Sequence, residues 1–230
     1  VELHNYENCG KFKVNGSSKL KEEQMANKQI PDIVVGRLPQ YLRSLQRMAR
    51  EGRTVTSSQE LGERLGISAA QIRKDLSQFG EFGKQGTGYN ISFLIEQLQK
   101  ILHVNHEWDV AVIGAGDIGS AVARYKGFIN RGFKVRMIFD NDPNKIGQTI
   151  GEFVIQDYAT LKEKIAEAGI KIAMIAVPAN LAQEVANNLV EAGVKAILNY
   201  APISLNVPPG VRVQYIDPSI HLQRMTYYLE

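Results

Sequence analysis

The order of apolar and polar positions divides the chain into a helical front and a strand-helix back. From Leu38, apolar residues recur at Tyr41, Leu42, Leu45, Met48 and Ala49. That spacing predicts an amphipathic helix with one buried face. Pro31 and Pro39 bracket its entry, Arg43, Arg47 and Arg50 lie off most of the apolar face, and Glu51-Gly52 ends it. A capping-box spacing follows at Ser57-Ser-Gln-Glu60, where a serine hydroxyl can accept from the third amide and a glutamate can reach back. The short helix it opens turns Leu61 and Leu65 inward. Gly66 breaks it, Ile67 fills the turn, and Ser68-Ala-Ala-Gln71 repeats the start signal. A third helix is expected to bury Ile72, Leu76 and Phe79, leaving Gln71, Arg73, Lys74 and Gln78 to face away from the core.

A helix, a short helix, a tight glycine turn and a helix with a basic outer face make a helix-turn-helix pattern. A helix that lies in a major groove needs a small polar N-terminus near the phosphates and donors that reach base edges. Ser68 and Gln71 suit the first task; Arg73 and Lys74 suit the second, or a phosphate. The alternative is a three-helix bundle with an exposed basic face. Phe82-Gly-Lys-Gln-Gly-Thr-Gly-Tyr89 then sets glycines around Lys84 and Gln85 with an aromatic at each end. This is similar to the wing of a winged helix, a thin hairpin tip that offers a cation to a minor groove. Asn90 to Leu102 is a further amphipathic helix, with Phe93, Leu94, Leu98, Ile101 and Leu102 apolar. His103 and His106 flank the linker after it with no third ligand near, so no metal site is expected.

The back half changes period. Val110–Ile113 reads as a buried strand that runs into Gly114-Ala-Gly-Asp-Ile-Gly119 and a helix carrying Ala121, Val122, Ala123, Tyr125 and Phe128. In a dinucleotide fold the first glycine permits the tight turn, the second lets a pyrophosphate approach backbone, and the third lets helix pack on strand. The phosphates then sit on the helix N-terminus. A second strand, Lys134–Phe139, ends in Asp140, about 20 residues on, where an acid accepts from ribose hydroxyls and repels an extra 2′-phosphate. That favours NAD over NADP. The alternation continues through a helix at 159–168, a strand at 172–177, a helix at 180–192, and strands at 195–198 and 211–216. Continuous apolar strands between helices mean a doubly wound, mainly parallel sheet. Its ligand lies beyond the strand C-termini, where Val177-Pro178 and Asn199-Tyr-Ala-Pro202, with Ala201, can border the nicotinamide end. A last helix, Pro218–Glu230, exposes Ile220, Leu222, Met225, Tyr228 and Leu229 to its own domain or to a partner subunit.

Composition refines this picture in three places. Residues 37–90 hold nine Lys/Arg against five Asp/Glu, whereas 106–230 hold twelve against thirteen, so a polyanion partner is expected for the front only. No apolar run approaches the roughly 20 residues that span a bilayer. One cysteine, Cys9, excludes an internal disulfide framework, and Val1–Asn5 lacks the marks of a signal peptide, so a cytoplasmic home is expected. The expected division is a disordered tail at 1–25, with Met25 read as a start position; a DNA-binding domain at 26–105; a nucleotide domain at 106–216; and a terminal helix at 217–230. No acid/base set stands near the strand ends, so no catalytic residue is expected and the cofactor is read as a signal.

Taken in order and spacing, Arg37–Arg43, Ser68–Asp75, Phe82–Tyr89, Gly114–Gly119, Asp140 and Val194–Pro202 make the chain resemble the Rex family of bacterial redox-sensing transcriptional repressors over about residues 30–230. The resemblance implies α/β architecture with an all-α/winged-helix N-terminal domain, and a Rossmann doubly wound parallel sheet plus a C-terminal swapped helix. It implies a homodimer that holds double-stranded operator DNA when NAD+ dominates and releases it when NADH binds, with no membrane and no metal. It implies that Arg73 and Lys74 lie in the recognition helix and Lys84 with Gln85 at the wing tip, which with Ser68 and Gln71 read above completes the expected DNA-contacting set. The glycine turn, Asp140 and the strand ends give the expected cofactor set: Gly114, Ala115, Gly116, Asp117, Ile118, Gly119, Asp140, Val177, Pro178, Asn199, Ala201 and Pro202. Arg43, Tyr125 and Asp217 match a switch whose polar partners re-pair between subunits. The chain departs from the family pattern at Gln85, where a basic residue is frequent, and at Pro218, where a bulkier apolar residue is frequent. The alternative is an enzyme, a small dehydrogenase or a CoA-ligase-type subunit, since Val194–Pro202 also resembles CoA-binding domains of acyl-CoA ligases.

Overall fold

A computed structural model describes residues 30–83 and 88–229. The chain divides into two compact units, the first ending at Leu102 and the second beginning at His103. The wing-tip residues Lys84 and Gln85, the tail with Cys9, and Met25 lie outside the described residues.

The first unit is helical. A short α1 (Asp32–Val35) leads into α2 (Leu38–Arg50), which buries Leu38, Tyr41, Leu42, Leu45 and Met48. Ala49 ends exposed, one step past the apolar stripe. Helix α3 (Ser58–Leu65) is capped by the Ser57 hydroxyl, which accepts from the Glu60 amide, and ends on Gly66 in a left-handed conformation. Helix α4 (Ala69–Leu76) is capped in the same way by Ser68. It ends a turn earlier than expected, and Phe79 lies half-buried in the turn beyond it. Each serine satisfies one orphan amide, worth about 1 kcal/mol per helix. A two-stranded antiparallel pair, β1 (Val55–Thr56) and β2 (Tyr89–Asn90), closes the base of the glycine-rich segment. Asn90 then caps α5 (Ile91–Ile101), whose buried face is Ile91, Leu94 and Leu98; Phe93 stays exposed.

The second unit holds a seven-stranded sheet. Its strands are β3 (Trp108–Ile113), β4 (Phe133–Asp140), β5 (Thr149–Ile150), β6 (Phe153–Asp157), β7 (Ile172–Ile175), β8 (Ala196–Asn199) and β9 (Arg212–Tyr215). They lie in the order β5-β6-β4-β3-β7-β8-β9, all pairs parallel except β5 with β6. Leaving out β5, this is the dinucleotide-fold order with its switch point between β3 and β7. The β5–β6 hairpin was not anticipated: residues 141–158 are too polar and too short in period to announce two strands.

Helices α6 (Asp117–Arg124), α7 (Leu161–Ala168) and α8 (Ala179–Glu191) cover the sheet, and α9 (Pro218–Thr226) follows its last strand. Strand β3 is buried on both faces, which explains its unbroken apolar run. Ala111 and Ile113 pack with Leu161, Ile165, Val185 and Leu189, while Val110 and Val112 pack with Ala123, Ile138 and Met174. A fully buried side chain of this size stabilises by about 1.5–3 kcal/mol, so Val112→Asp would open the sheet at its centre. A register irregularity between Val110 and Ala111 brings Ile113 opposite Phe139. The Gly114 amide then donates to the Phe139 carbonyl at 2.8 Å, and Asp140 arrives beside the glycine turn.

Candidate functional site

The turn after β3 is tight because backbone fills the places of side chains. Gly114 has φ +98°, and a Cβ there would strike the Ala176 carbonyl oxygen. A Cβ on Gly119 would strike the Gly114 carbonyl oxygen. The protein therefore requires both glycines. Gly116 is different: a Cβ there would meet nothing within 4 Å. Its φ of −79° is open to any residue, so nothing in the fold demands glycine at this position. What a bare backbone provides there is close approach for something outside the protein.

Helix α6 begins at that point with no side-chain cap, as do α1, α2, α7 and α8, whereas α3, α4, α5 and α9 are each capped by a serine, asparagine or aspartate. Its first amides and its dipole are left for an anion. A cavity of about 550 Å³ opens beside it, lined among others by Gly114, Gly116, Asp140, Lys145, Val177 and Pro178. Asp117 and Ile118 stand exposed on the first turn, while Ala115 is buried.

Asp140 holds the far side. It is 8% exposed and accepts from the Ala115 amide at 2.7 Å and the Asp142 amide at 2.9 Å, with Lys145 Nζ at 3.5 Å. Burial pushes its carboxyl up, but the two amides and Lys145 outweigh that and hold it below the usual carboxylate range. The carboxylate is thus charged, fixed in direction and still bordering the cavity. Lys145, Tyr158, Leu181 and Glu184 also line this cavity and were missed from sequence. The signal for Lys145 was present in Asn141-Asp-Pro-Asn-Lys145, a turn directly after the acid-bearing strand. Tyr158, Leu181 and Glu184 reach the cavity through packing that no local pattern encodes. An uncapped helix start, a bare Gly116 and a fixed carboxylate fit a dinucleotide.

The end of β8 departs from expectation. Asn199 is fully buried and spends its amide inside the fold: Nδ2 donates to the Ala201 and Ile203 carbonyls and Oδ1 accepts from the Ala201 amide, all at 3.0 Å. Asn199 and Ala201 shape the turn and do not line the cavity at β3–β7; Pro202 is exposed. The strand before Val177 also stops early, at Ile175, so Val177-Pro178 belongs to the turn that starts α8.

In the first unit, Arg73 and Lys74 are exposed on α4, and Arg73 Nη1 donates to Ser58 Oγ at 2.9 Å. Ser68 is occupied as the helix cap, accepting from the Gln71 amide at 3.2 Å. The Gln71 side chain does not lie free as expected; its Nε2 donates to Asp75 at 2.7 Å. Asp75 is fully buried and also takes two hydrogen bonds from Arg37, at 2.6 and 2.7 Å, and one from the Tyr41 hydroxyl at 2.6 Å. Burial raises the Asp75 carboxyl, and the donors together bring it below its ordinary value. Burial and Asp75 push the Tyr41 hydroxyl up to about 12. The apolar spacing of α2 hid this network, since Tyr41 was counted only as a core residue. The stems of the glycine-rich segment approach closely, for a Cβ on Gly83 would come within 2.7 Å of the Gly88 carbonyl oxygen.

Comparison with known proteins decides the family. A family model described as "CoA binding domain" matches residues 105–203, and one described as "Putative DNA-binding protein N-terminus" matches residues 29–77. The redox-sensing transcriptional repressor Rex of Chloroflexus aurantiacus is 56% identical over 86% of this chain and 94% of its own. That of Carboxydothermus hydrogenoformans is 45% identical over 86% of this chain and 96% of its own. The chain belongs to the Rex family. Among solved structures, RSP in complex with β-NAD+ and operator DNA matches with a TM-score of 0.84 and 38% identity, over 88% of this chain and 94% of that one. RSP in complex with β-NADH matches with a TM-score of 0.80 and 36% identity, over 88% and 95%. As a Rex repressor the chain is a regulator and not an enzyme, and the ligase alternative is set aside.

The three residues matched to the Rex switch have local surroundings in the single chain. Tyr125 does not sit on α6, which ends at Arg124; it is the extended residue that turns the chain into a 3-10 segment, Lys126–Arg131. Its hydroxyl accepts from Arg131 Nη1 at 3.0 Å and its ring meets Phe128 edge-on. Asp217 caps α9 by accepting from the Ser219 amide at 2.9 Å and hydroxyl at 2.6 Å, which holds its carboxyl low. Arg43 is exposed on α2. Among the described residues no group of His, Cys, Asp and Glu could hold a metal, and no helix is long and apolar enough to cross a membrane.

Proposed function

We propose that this Rex repressor holds operator DNA through α4 and the glycine-rich segment, and releases it when NADH occupies the cavity at Gly114–Gly119. The observation that carries the reading is Gly116, a glycine the fold itself does not need, at the uncapped start of α6 beside a fixed Asp140. The amides of residues 117–119 take the pyrophosphate, Asp140 with Lys145 takes the adenosine ribose, and Val177-Pro178 walls the cavity. An ionised Asp140 repels a 2′-phosphate, which favours NAD(H) over its phosphorylated form. When bound, the nicotinamide supplies the signal, being cationic when oxidised and neutral when reduced.

Release requires that NADH prefer one arrangement of a two-state element. That element is a homodimer, since a pair of recognition helices reads half-sites about 34–36 Å apart. Ile220, Leu222, Met225, Tyr228 and Leu229 of the C-terminal segment each stand at least 60% exposed, an apolar face that a second copy covers. Arg43, Tyr125 and Asp217 re-pair across that dimer, and Tyr125 must leave Arg131 to do so. Arg73, Lys74, Ser68, Gln71, Lys84 and Gln85 meet the DNA. The work is done in the cytoplasm, where the operator is.

The test is titration of NADH, NAD+ and CoA into a complex of the full chain with a labelled operator duplex, read by anisotropy. NADH is expected to release the DNA and NAD+ to leave it bound. DNA affinity that stays constant across the NADH series would sink the reading, and release by CoA alone would reassign the cavity.

A further inference from the structure

Gly127 lies in the 3-10 segment after α6 and has no positive φ, so its backbone admits any residue. Gly132, which closes the segment, is different: it stands in the left-handed region, where the backbone alone favours glycine. The space beside Gly127 is nevertheless taken. The three atoms nearest to a Cβ built there all belong to the far end of one side chain, Cζ, the hydroxyl oxygen and Cε1 of Tyr125. The end of the Tyr125 ring thus occupies the place of a side chain at 127. Two further residues complete the seat. Phe128 meets the ring edge-on, with centroids 4.9 Å apart, and is itself packed against the core cluster that includes Val110 and Ile138. Arg131 donates to the Tyr125 hydroxyl at 3.0 Å and sets its guanidinium 5.8 Å from the ring centroid. The residue is still 47% exposed, so it is seated at the surface and not locked into a core.

A contact made in only one of two states weights the equilibrium toward that state. While Tyr125 is seated on Gly127 and Arg131, it is not free to pair across the dimer. Because it leaves Arg131 as the switch re-pairs on release, the seated state is the one that holds DNA. We propose that Gly127 and Arg131 are positioning residues that seat Tyr125 in the DNA-holding state and so set how much NADH release requires. This rests on the part given to Tyr125 in the switch above. One methyl group at 127 displaces the ring. The fold tolerates it, because what must move is the end of an exposed side chain and not backbone.

The full chain is titrated with NADH on a labelled operator duplex, followed by anisotropy, for the parent, Gly127→Ala, Tyr125→Ala and the double variant. Gly127→Ala is expected to release DNA at about 5-fold less NADH than the parent. An unchanged or higher midpoint overturns the proposal. General damage to the protein would also lower the midpoint, and the double variant separates the two causes. With no ring to strike, its methyl is inert, and its release curve is expected to superimpose on that of Tyr125→Ala. A shift of the same size in both backgrounds shows that the methyl acts without Tyr125, which overturns the proposal. If Gly127→Ala does not fold by circular dichroism, Arg131→Ala replaces it, removing the donor to the Tyr125 hydroxyl. A lower midpoint that vanishes in the Tyr125→Ala background supports the proposal, and an unchanged midpoint overturns it. Tyr125→Ala by itself is expected to need more NADH than the parent; equal midpoints for those two take away the part given to Tyr125, and the proposal with it. A parent that NADH does not release refutes the sensor reading itself and is thereby distinguished from failure of the seat.

Discussion

Each unit of the protein buries one aspartate among donors, and the two differ in what they leave over. Asp75 receives four hydrogen bonds, all from side chains, and is fully buried. A carboxylate offers about four lone-pair sites, so this one is full. Asp140 is held by two backbone amides and a lysine at 3.5 Å, and it borders a cavity. It keeps acceptor capacity for a molecule outside the fold. Both charges are fixed and hydrogen-bonded, yet the first ties the ends of helices together and the second faces a ligand. Burial and a depressed pKa do not distinguish a structural acid from a binding one. The unspent valence does.

The strongest way to break this comparison is to take the partner from the closed site. Arg37→Ala would leave a buried carboxylate without its cation, and loss of one partner of such a pair costs about 3 kcal/mol. The first unit is expected to unfold at lower urea by circular dichroism. NADH affinity, measured by calorimetry, is expected to stay as it was; a parallel loss of NADH binding would erase the separation of the two sites.

Gly116→Ala probes the open site with the opposite signature. A methyl group there meets no protein atom within 4 Å, so stability should move by no more than about 0.5 kcal/mol. Dinucleotide affinity should fall by about 10-fold or more, because the methyl occupies the path of the pyrophosphate. Gly119→Ala, by contrast, should fail in folding, since its methyl would strike the Gly114 carbonyl. Equal NADH affinity for Gly116→Ala and the parent would remove the main support for the cavity as the sensor.

The smallest expected effect is in acid. Both carboxyls lie below their ordinary value in the fold. A depressed folded pKa gives stability that is present above the unfolded value, about 3.9, and is lost as pH falls through the folded one. Stability should therefore be level near neutrality and fall below about pH 4. Circular dichroism follows the helices of both units and Trp108, the single tryptophan, follows the second alone, so helical signal lost without a change at Trp108 reports the first. Asp75→Asn should flatten the acid loss of the first signal and leave the second. If it flattens both, the two acids are coupled and the comparison fails.

The fold was legible wherever its cause is local. Serine caps at Ser57 and Ser68, the glycine stop at Gly66 and the unbroken run Val110–Ile113 each depend on a few consecutive residues, and the elements stand within a few residues of their expected bounds. The glycine turn and Asp140 were legible because spacing along one βαβ unit fixes them. The partners of Asn199 were not legible, because sequence shows an amide at a strand end but not where it spends its hydrogen bonds. Tyr125 was placed on a helix because the apolar period runs on past Arg124, although the backbone does not.

By itself the sequence determined the main helices and the strands around the glycine turn, their order, the two-part plan and the chemistry of that turn, because periodicity, caps and turn residues act over a few positions. The tertiary structure alone decided which valences are already spent. Arg37 and Asp75 are 38 positions apart, and Ala115 and Asp140 are 25 apart. Hydrogen-bond partners at that separation are chosen by packing, and packing turned one aspartate inward and left the other facing the cavity.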